Sequence, residues 1–202
     1  MLRSNPGENQ PNLKIQLQPF SGKDRYARTP RDGLDPYSGF TIGVMALRPR
    51  SRGWVHIASP DPLLPPRIDP NYLADPSDAQ VLMAGIRAVR RVAERPALRP
   101  LVVRETRPGA DASSDDDLME YIRATTQTTW HVVGSCKMGI DALAVVDPEL
   151  RVRGIEGLRV IDSSICPTIP SANTNAAAIA IGEKGADLVL DDARQSNLRA
   201  PA

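Results

Sequence analysis

Strand patterns and helix patterns occupy separate parts of this chain, and that order constrains its fold more than any other feature. Apolar and polar residues alternate over residues 13–20, and strand patterns recur at 40–47 and 54–58. Residues 49–53 between the last two patterns predict a hairpin-like connection. Helical periodicity dominates later in the chain. Segregated strands and helices favour an α+β fold over alternating βαβ units.

Local capping signals predict the first two helices. Residues 77–80 (SDAQ) form a capping-box pattern, so a helix is predicted over 79–94. Ser114 is followed by three aspartates, which complement the helix dipole in a first turn. A second helix is therefore predicted from this point to about Thr126.

The remaining segments are predicted from their apolar content and turn residues. A short central strand is predicted at 158–161, and a last helix from about Asn175 to about Asp191. Residues 21–39 and the stretch 60–70, which contains five prolines, are predicted as irregular chain. Residues 193–202 are predicted to be a disordered tail.

Charge and composition exclude several classes of function. The chain carries 25 Lys and Arg against 24 Asp and Glu, and its arginine cluster lies on the predicted helix 79–94 as a solvated face. Without a basic stripe, nucleic-acid binding is not expected. No apolar run approaches the roughly 20 residues of a membrane helix, and no signal core follows Met1. If Met1 is the true start, the protein is expected to be cytoplasmic.

The spacing of the two cysteines does not match a metal-binding or redox motif. Cys136 and Cys166 form no CxxC motif and no Cys/His ligand pattern, so neither a metal site nor a disulfide framework is expected. Cys136 follows His131 closely, which leaves a thiol nucleophile open as an alternative. Cysteines of this kind are more often small buried apolar residues.

Two polar clusters carry the strongest functional signal. Residues 131–139 (HVVGSCKMG) place an imidazole beside a glycine-rich bend, and residues 169–175 (IPSANTN) place two carboxamides before an apolar run. A base and a fixed amide donor suit removal of a proton from a substrate hydroxyl. A structural role for His131 is the alternative, whereas His56 has the pattern of a strand-face side chain.

Three stretches together resemble the C-terminal region of the glucose–methanol–choline (GMC) family of flavin-dependent oxidoreductases, especially its choline-dehydrogenase-like members. The first combines residues 47–53 (LRPRSRG) and 68–73 (IDPNYL). The second combines residues 131–139 with 146–152 (VDPELRV). The third runs from 158–164 (LRVIDSS) through 167–175 (PTIPSANTN) to 182–188 (GEKGADL).

The resemblance implies a domain organisation. Residues 1–127 would be a portion of an antiparallel-sheet substrate domain, and residues 128–192 the C-terminal strand and helix portion of an FAD-binding domain. The family's N-terminal dinucleotide-binding unit has no counterpart, because the chain contains no Gly-x-Gly-x-x-Gly. We therefore expect a fragment, a truncated reading frame or one half of a split protein, inactive alone.

The resemblance also assigns site residues. His131 would be the base and Asn173 would hydrogen-bond the oxygen of a small alcohol, although Asn173 also suits a helix N-cap. The residues implied to contact FAD are Trp130, Asp162, Ser163, Thr174 and Asn175. Their alternatives are a packed indole for Trp130, and turn formation for Asp162 and Ser163.

The implied function is oxidation of the CH–OH group of an alcohol, with hydride transfer to the flavin N5. Two alternatives stay open. Hydroxynitrile lyases of this fold family contain FAD without using it for redox chemistry, and a truncated chain could be a non-catalytic remnant or binding module.

Overall fold

The computed structural model describes residues 1–23, 29, 31 and 33–199. Seven regular elements occur in this part of the chain: β1 (Leu13–Gln18), β2 (Thr41–Ala46), β3 (Trp54–His56), β4 (Arg67–Asp69), α1 (Pro76–Ala93), α2 (Asp115–Thr125) and α3 (Asn175–Arg199). Short 3₁₀ turns lie at Arg99–Leu101 and Ser163–Ile165. Helix and antiparallel sheet therefore coexist in the described chain, as expected for an α+β fold. Part of the predicted loop 21–39, namely residues 24–28, 30 and 32, lies outside the described residues.

The chain forms two compact units. The first comprises Met1–Gly53 and Pro70–Gln127, and the second comprises Trp54–Asp69 together with the residues from Thr128 onward. One division between these units lies after Gln127, but residues 1–127 do not all belong to the first of them. Residues 54–69 group with the later residues instead. The assignment of the units to substrate and flavin domains stays a prediction.

The strand pairing differs from the predicted hairpin. β1 pairs antiparallel with β2, from Leu13 opposite Ala46 to Gln18 opposite Thr41, whereas β3 pairs with β4. The predicted hairpin connection at 49–53 is therefore wrong. Its backbone is held by the buried carboxylate of Asp78, which accepts from the amides of Arg50 at 2.7 Å and Ser51 at 2.9 Å. These amides are consequently unavailable for a strand ladder.

The predicted central strand at 158–161 is also wrong. Only an isolated bridge, between Arg151 and Arg159, involves this segment in the described chain. Two backbone hydrogen bonds flank this bridge, from the amide of Val152 to the carbonyl of Leu158 and from the amide of Val160 to the carbonyl of Leu150. This pairing is too short for a strand ladder.

Helix α1 begins earlier than predicted. Asp75 is the N-cap, and its carboxylate accepts from the amide of Ser77 at 2.9 Å. Pro76 occupies the first helical position, where its missing N–H costs no hydrogen bond. The prediction of Ser77 as the cap is therefore wrong by two positions, because Asp75 and Pro76 together make a stronger start signal.

The prediction that Ser114 caps α2 is confirmed, and the cap is a capping box. The hydroxyl of Ser114 accepts from the amide of Asp117, and the carboxylate of Asp117 accepts from the amide of Ser114. The helix buries Leu118 and Ile122 against Met83 of α1. This cluster forms a core of the first unit.

Helix α3 packs on a core of the second unit. The buried centre is Val146, Leu150 and Ile165, and Ile181 and Leu188 of the helix pack against it. α3 continues to Arg199, so the predicted disordered tail is helical over 193–199. Residues 200–202 of that predicted tail lie outside the described residues.

Candidate functional site

The loop that carries His131 is fixed by backbone hydrogen bonds immediately after it. The amides of Gly134 and Cys136 both donate to the carbonyl of Ser164, at 3.0 and 3.1 Å, and the amide of Met138 donates to Ile165 at 2.7 Å. Gly134 has a φ of +94°, which a residue with a Cβ rarely adopts. The glycine-rich bend therefore lets the chain dock onto the Ser163–Ile165 turn.

The imidazole of His131 is half-buried in this loop. Among the described residues, none forms a hydrogen bond or ion pair with it. The ring nitrogens are therefore not occupied by a structural partner in this part of the chain. Such a position suits a side chain that exchanges a proton with a ligand.

Asp162 begins the turn on which the loop docks. Its carboxylate accepts from the amide of Ser164 at 2.7 Å and caps the turn. Hydrogen bonding to Ser164 lowers the pKa of Asp162 below the usual aspartate value, so the side chain is anionic at neutral pH. The turn role foreseen as an alternative for Asp162 is thus present.

The second polar cluster forms the start of α3. The carbonyl of Thr174 accepts from the amide of Ala178 at 2.8 Å, which makes Thr174 the N-cap residue and Asn175 the first helical residue. The alternative of Asn173 as the N-cap is therefore wrong by one position. Asn173, Asn175 and Ala176 are exposed, so the positive end of the helix dipole is accessible.

Trp130 precedes His131 and does not pack in a core. Its side chain is 70% exposed, and its backbone has a φ of +61°. The hydroxyl of Thr128 accepts from its amide at 3.0 Å. The alternative of a packed core indole for Trp130 is therefore wrong. A left-handed backbone is uncommon for a residue that has a Cβ.

In the second unit, three segments thus pack on one apolar core. The His131 loop and the Asp162 turn are joined by hydrogen bonds, and α3 packs on the same core through Ile181 and Leu188. Sequence reasoning missed Ser164, whose carbonyl accepts two amide hydrogens. A backbone acceptor leaves no side-chain pattern, so no local signal could have identified it.

Two further findings concern metal binding and membrane crossing by the described residues. Within the described residues, no group of three or more His, Cys, Asp and Glu side chains could hold a metal ion. None of the helices described is long and apolar enough to cross a membrane.

Comparison with known proteins decides the family. The family model described as GMC oxidoreductase, for the C-terminal region, matches residues 49–182. The chain belongs to the GMC oxidoreductase family. The match includes the His131 loop, the Asp162 turn and the first residues of α3, so all seven predicted site residues lie inside this GMC region.

Relatives of this GMC chain are redox enzymes. It is 38% identical over 199 residues to alcohol dehydrogenase (acceptor) of Pseudomonas putida, which covers 98% of this chain and 35% of that protein. It is 42% identical over 156 residues to choline oxidase of Arthrobacter globiformis, covering 75% of this chain and 29% of that protein.

The structural comparison agrees with these sequence matches. A formate oxidase of Aspergillus oryzae RIB40, solved to study modification of its FAD, has a TM-score of 0.79 and 28% identity to this chain. That match covers 93% of this chain and 33% of the oxidase. The GMC chain therefore spans about a third of the length of these relatives.

Proposed function

We propose that this chain supplies the base and the flavin-facing surfaces of an FAD-dependent oxidoreductase that acts on the CH–OH group of an alcohol. The observation that carries the proposal is the docking of the His131 loop onto the Asp162 turn, in a region that matches the GMC family. This arrangement brings a side chain that can accept a proton next to a segment that can contact a cofactor.

The residues present suit the flavin half of FAD. The accessible N-terminus of α3 offers amides at Thr174 and Asn175, which would face the electron-rich side of the flavin ring. The anionic carboxylate of Asp162 and the hydroxyl of Ser163 suit the hydroxyl groups of the ribityl chain. The exposed indole of Trp130 offers a planar apolar surface.

The chain's own sequence does not suit the ADP half. It contains no Gly-x-Gly-x-x-Gly, the turn that brings backbone amides close to a pyrophosphate. The proposed enzyme therefore requires a dinucleotide-binding segment in addition to these residues.

His131 would take the proton of the substrate hydroxyl. An imidazole nitrogen that carries no proton can accept one from a substrate hydroxyl and release it again at each turnover. The carboxamide of Asn173 would donate a hydrogen bond to the same oxygen, and this bond strengthens as negative charge develops there. When bound, FAD would supply the two-electron acceptor for the hydride on the carbinol carbon.

The decisive experiment is anaerobic stopped-flow of the flavin-loaded protein that contains this chain. In His131→Ala, we expect the rate of flavin reduction by an alcohol to fall by about 10²–10⁴-fold with FAD still bound, as for loss of a general base. His56→Ala is the matched control and should leave the rate unchanged. A wild-type rate in His131→Ala would exclude His131 as the base.

The same experiment tests the reaction class. Alcohol-dependent bleaching of the flavin absorbance supports oxidation. Flavin that stays oxidised while a cyanohydrin is cleaved would instead identify a hydroxynitrile lyase, and flavin unresponsive to both substrates would favour a non-catalytic module.

A further inference from the structure

A polar cleft of about 340 Å³ lies in the first unit, and its lining includes none of the residues proposed for redox chemistry. Its lining consists of Tyr37 and the consecutive residues Arg104, Glu105, Thr106 and Arg107. This volume is at the lower end of the range for small-molecule sites, roughly 300–1,000 Å³. The charges around the cleft decide what it can hold.

One lining charge is neutralised by an adjacent carboxylate. Arg107 donates two parallel hydrogen bonds to Asp35, each 2.7 Å long. Asp35 also accepts from the hydroxyl of Ser21 at 2.6 Å and is hydrogen-bonded by Tyr37. Arg107 therefore holds the pKa of Asp35 far below its usual value, and the pair stays ionised at neutral pH.

A second lining charge is neutralised in the same manner. Glu105 accepts from two nitrogens of Arg90, Nε at 2.9 Å and Nη2 at 3.0 Å. Nη2 of Arg90 also donates to the carbonyls of Gly109 and Ala112. This bidentate geometry fixes Glu105 in place and leaves no net charge on the pair.

Arg104 is the lining charge that remains. Its exposed guanidinium forms no ion pair or hydrogen bond with any residue that the structure describes, and the neighbouring Thr106 hydroxyl is exposed as well. With the two pairs neutral, the lining carries a net charge of +1 from Arg104. An uncompensated guanidinium and a hydroxyl donor, next to the two ion pairs, form a complementary environment for an oxyanion.

We propose that this cleft binds a small oxyanion, a carboxylate or a phosphate, through Arg104 and Thr106. A guanidinium matches both groups because its N–H donors form a planar fork. The ion pairs Arg107–Asp35 and Arg90–Glu105 would limit the size of the ligand to one that fits between them. The proposal that this cleft binds an oxyanion does not rest on the proposed redox function.

Binding is measured by isothermal titration calorimetry of the full 202-residue chain with sodium acetate and, separately, with inorganic phosphate, at constant ionic strength. Saturable binding of at least one anion is expected. Arg104→Gln should weaken it about tenfold, the range for losing one hydrogen bond to a charged group. Arg104→Lys retains the positive charge and should retain more of the affinity than Arg104→Gln.

Arg91→Gln is the matched control, since Arg91 is an exposed arginine of α1 outside the cleft, and it should bind as the wild type does. Far-ultraviolet circular dichroism establishes that each variant is folded. Binding of acetate alone identifies the ligand class as a carboxylate, and binding of phosphate alone identifies it as a phosphate. Absence of saturable binding, or equal affinity in Arg104→Gln and the wild type, overturns the proposal.

Discussion

At the scale of single residues, the two asparagines of the second polar cluster have different positions and hence different expected roles. Asn173 precedes the helix, while Asn175 is its first residue and lies next to the free amides of the first turn. Because Asn173 precedes the helix, its side chain is the one proposed to hydrogen-bond the substrate oxygen. A residue in the first turn is part of the surface proposed to face the flavin.

We predict that Asn173→Ala lowers kcat more than it raises KM, because its hydrogen bond strengthens as the oxygen gains charge. Asn175→Ala should instead weaken FAD retention or shift the flavin reduction potential. Steady-state kinetics and spectroelectrochemical titration of the flavin-loaded protein separate these effects. If both variants only lower the melting temperature, the two asparagines have a purely structural role.

Helices and strands differ in how much of them local sequence predicts. The start of α2 was predictable because three aspartates follow the capping residue Ser114, and the cap of α1 was misplaced by only two positions. Strand pairing was not predictable, since the partner of β2 is β1, across the loop-rich residues between them. The proposed site follows the same rule: its residue types were visible in the sequence, but the bonds from Gly134 and Cys136 to Ser164 were not.

Helix α3 provides a matched pair of glycines for testing its packing. A Cβ on Gly185 would lie 2.1 Å from Cγ2 of Ile161, whereas a Cβ on Gly182 would meet no atom within 4 Å. We predict that Gly185→Ala destabilises the fold by about 1–3 kcal/mol through overpacking. Gly182→Ala should stabilise it by about 0.5–1 kcal/mol, because alanine favours a helix.

Urea unfolding followed by circular dichroism at 222 nm, a wavelength chosen for helix content, measures both changes in the free energy of unfolding. Equal effects in the two variants would show that the contact between Gly185 and Ile161 does not constrain α3 in solution.

At the scale of the whole molecule, many large apolar side chains are exposed. Ile57, Ile140 and Leu143 are 88%, 87% and 80% exposed, and Trp130 is exposed beside His131. Where exposed apolar side chains adjoin one another, they are typical of surfaces that another segment or partner covers, and they favour aggregation when uncovered. The proposed flavin contacts also reach only one half of FAD.

We therefore predict that the 202-residue chain alone neither retains FAD nor oxidises alcohols. The ADP half of FAD would lack its protein contacts, because the glycine-rich turn and its helix N-terminus are not in this sequence. The purified chain is mixed with FAD and desalted, and flavin absorbance is then measured with and without an alcohol; FAD passed alone through the same column is the control. Stoichiometric yellow protein that an alcohol bleaches would show instead that these residues suffice for binding and catalysis.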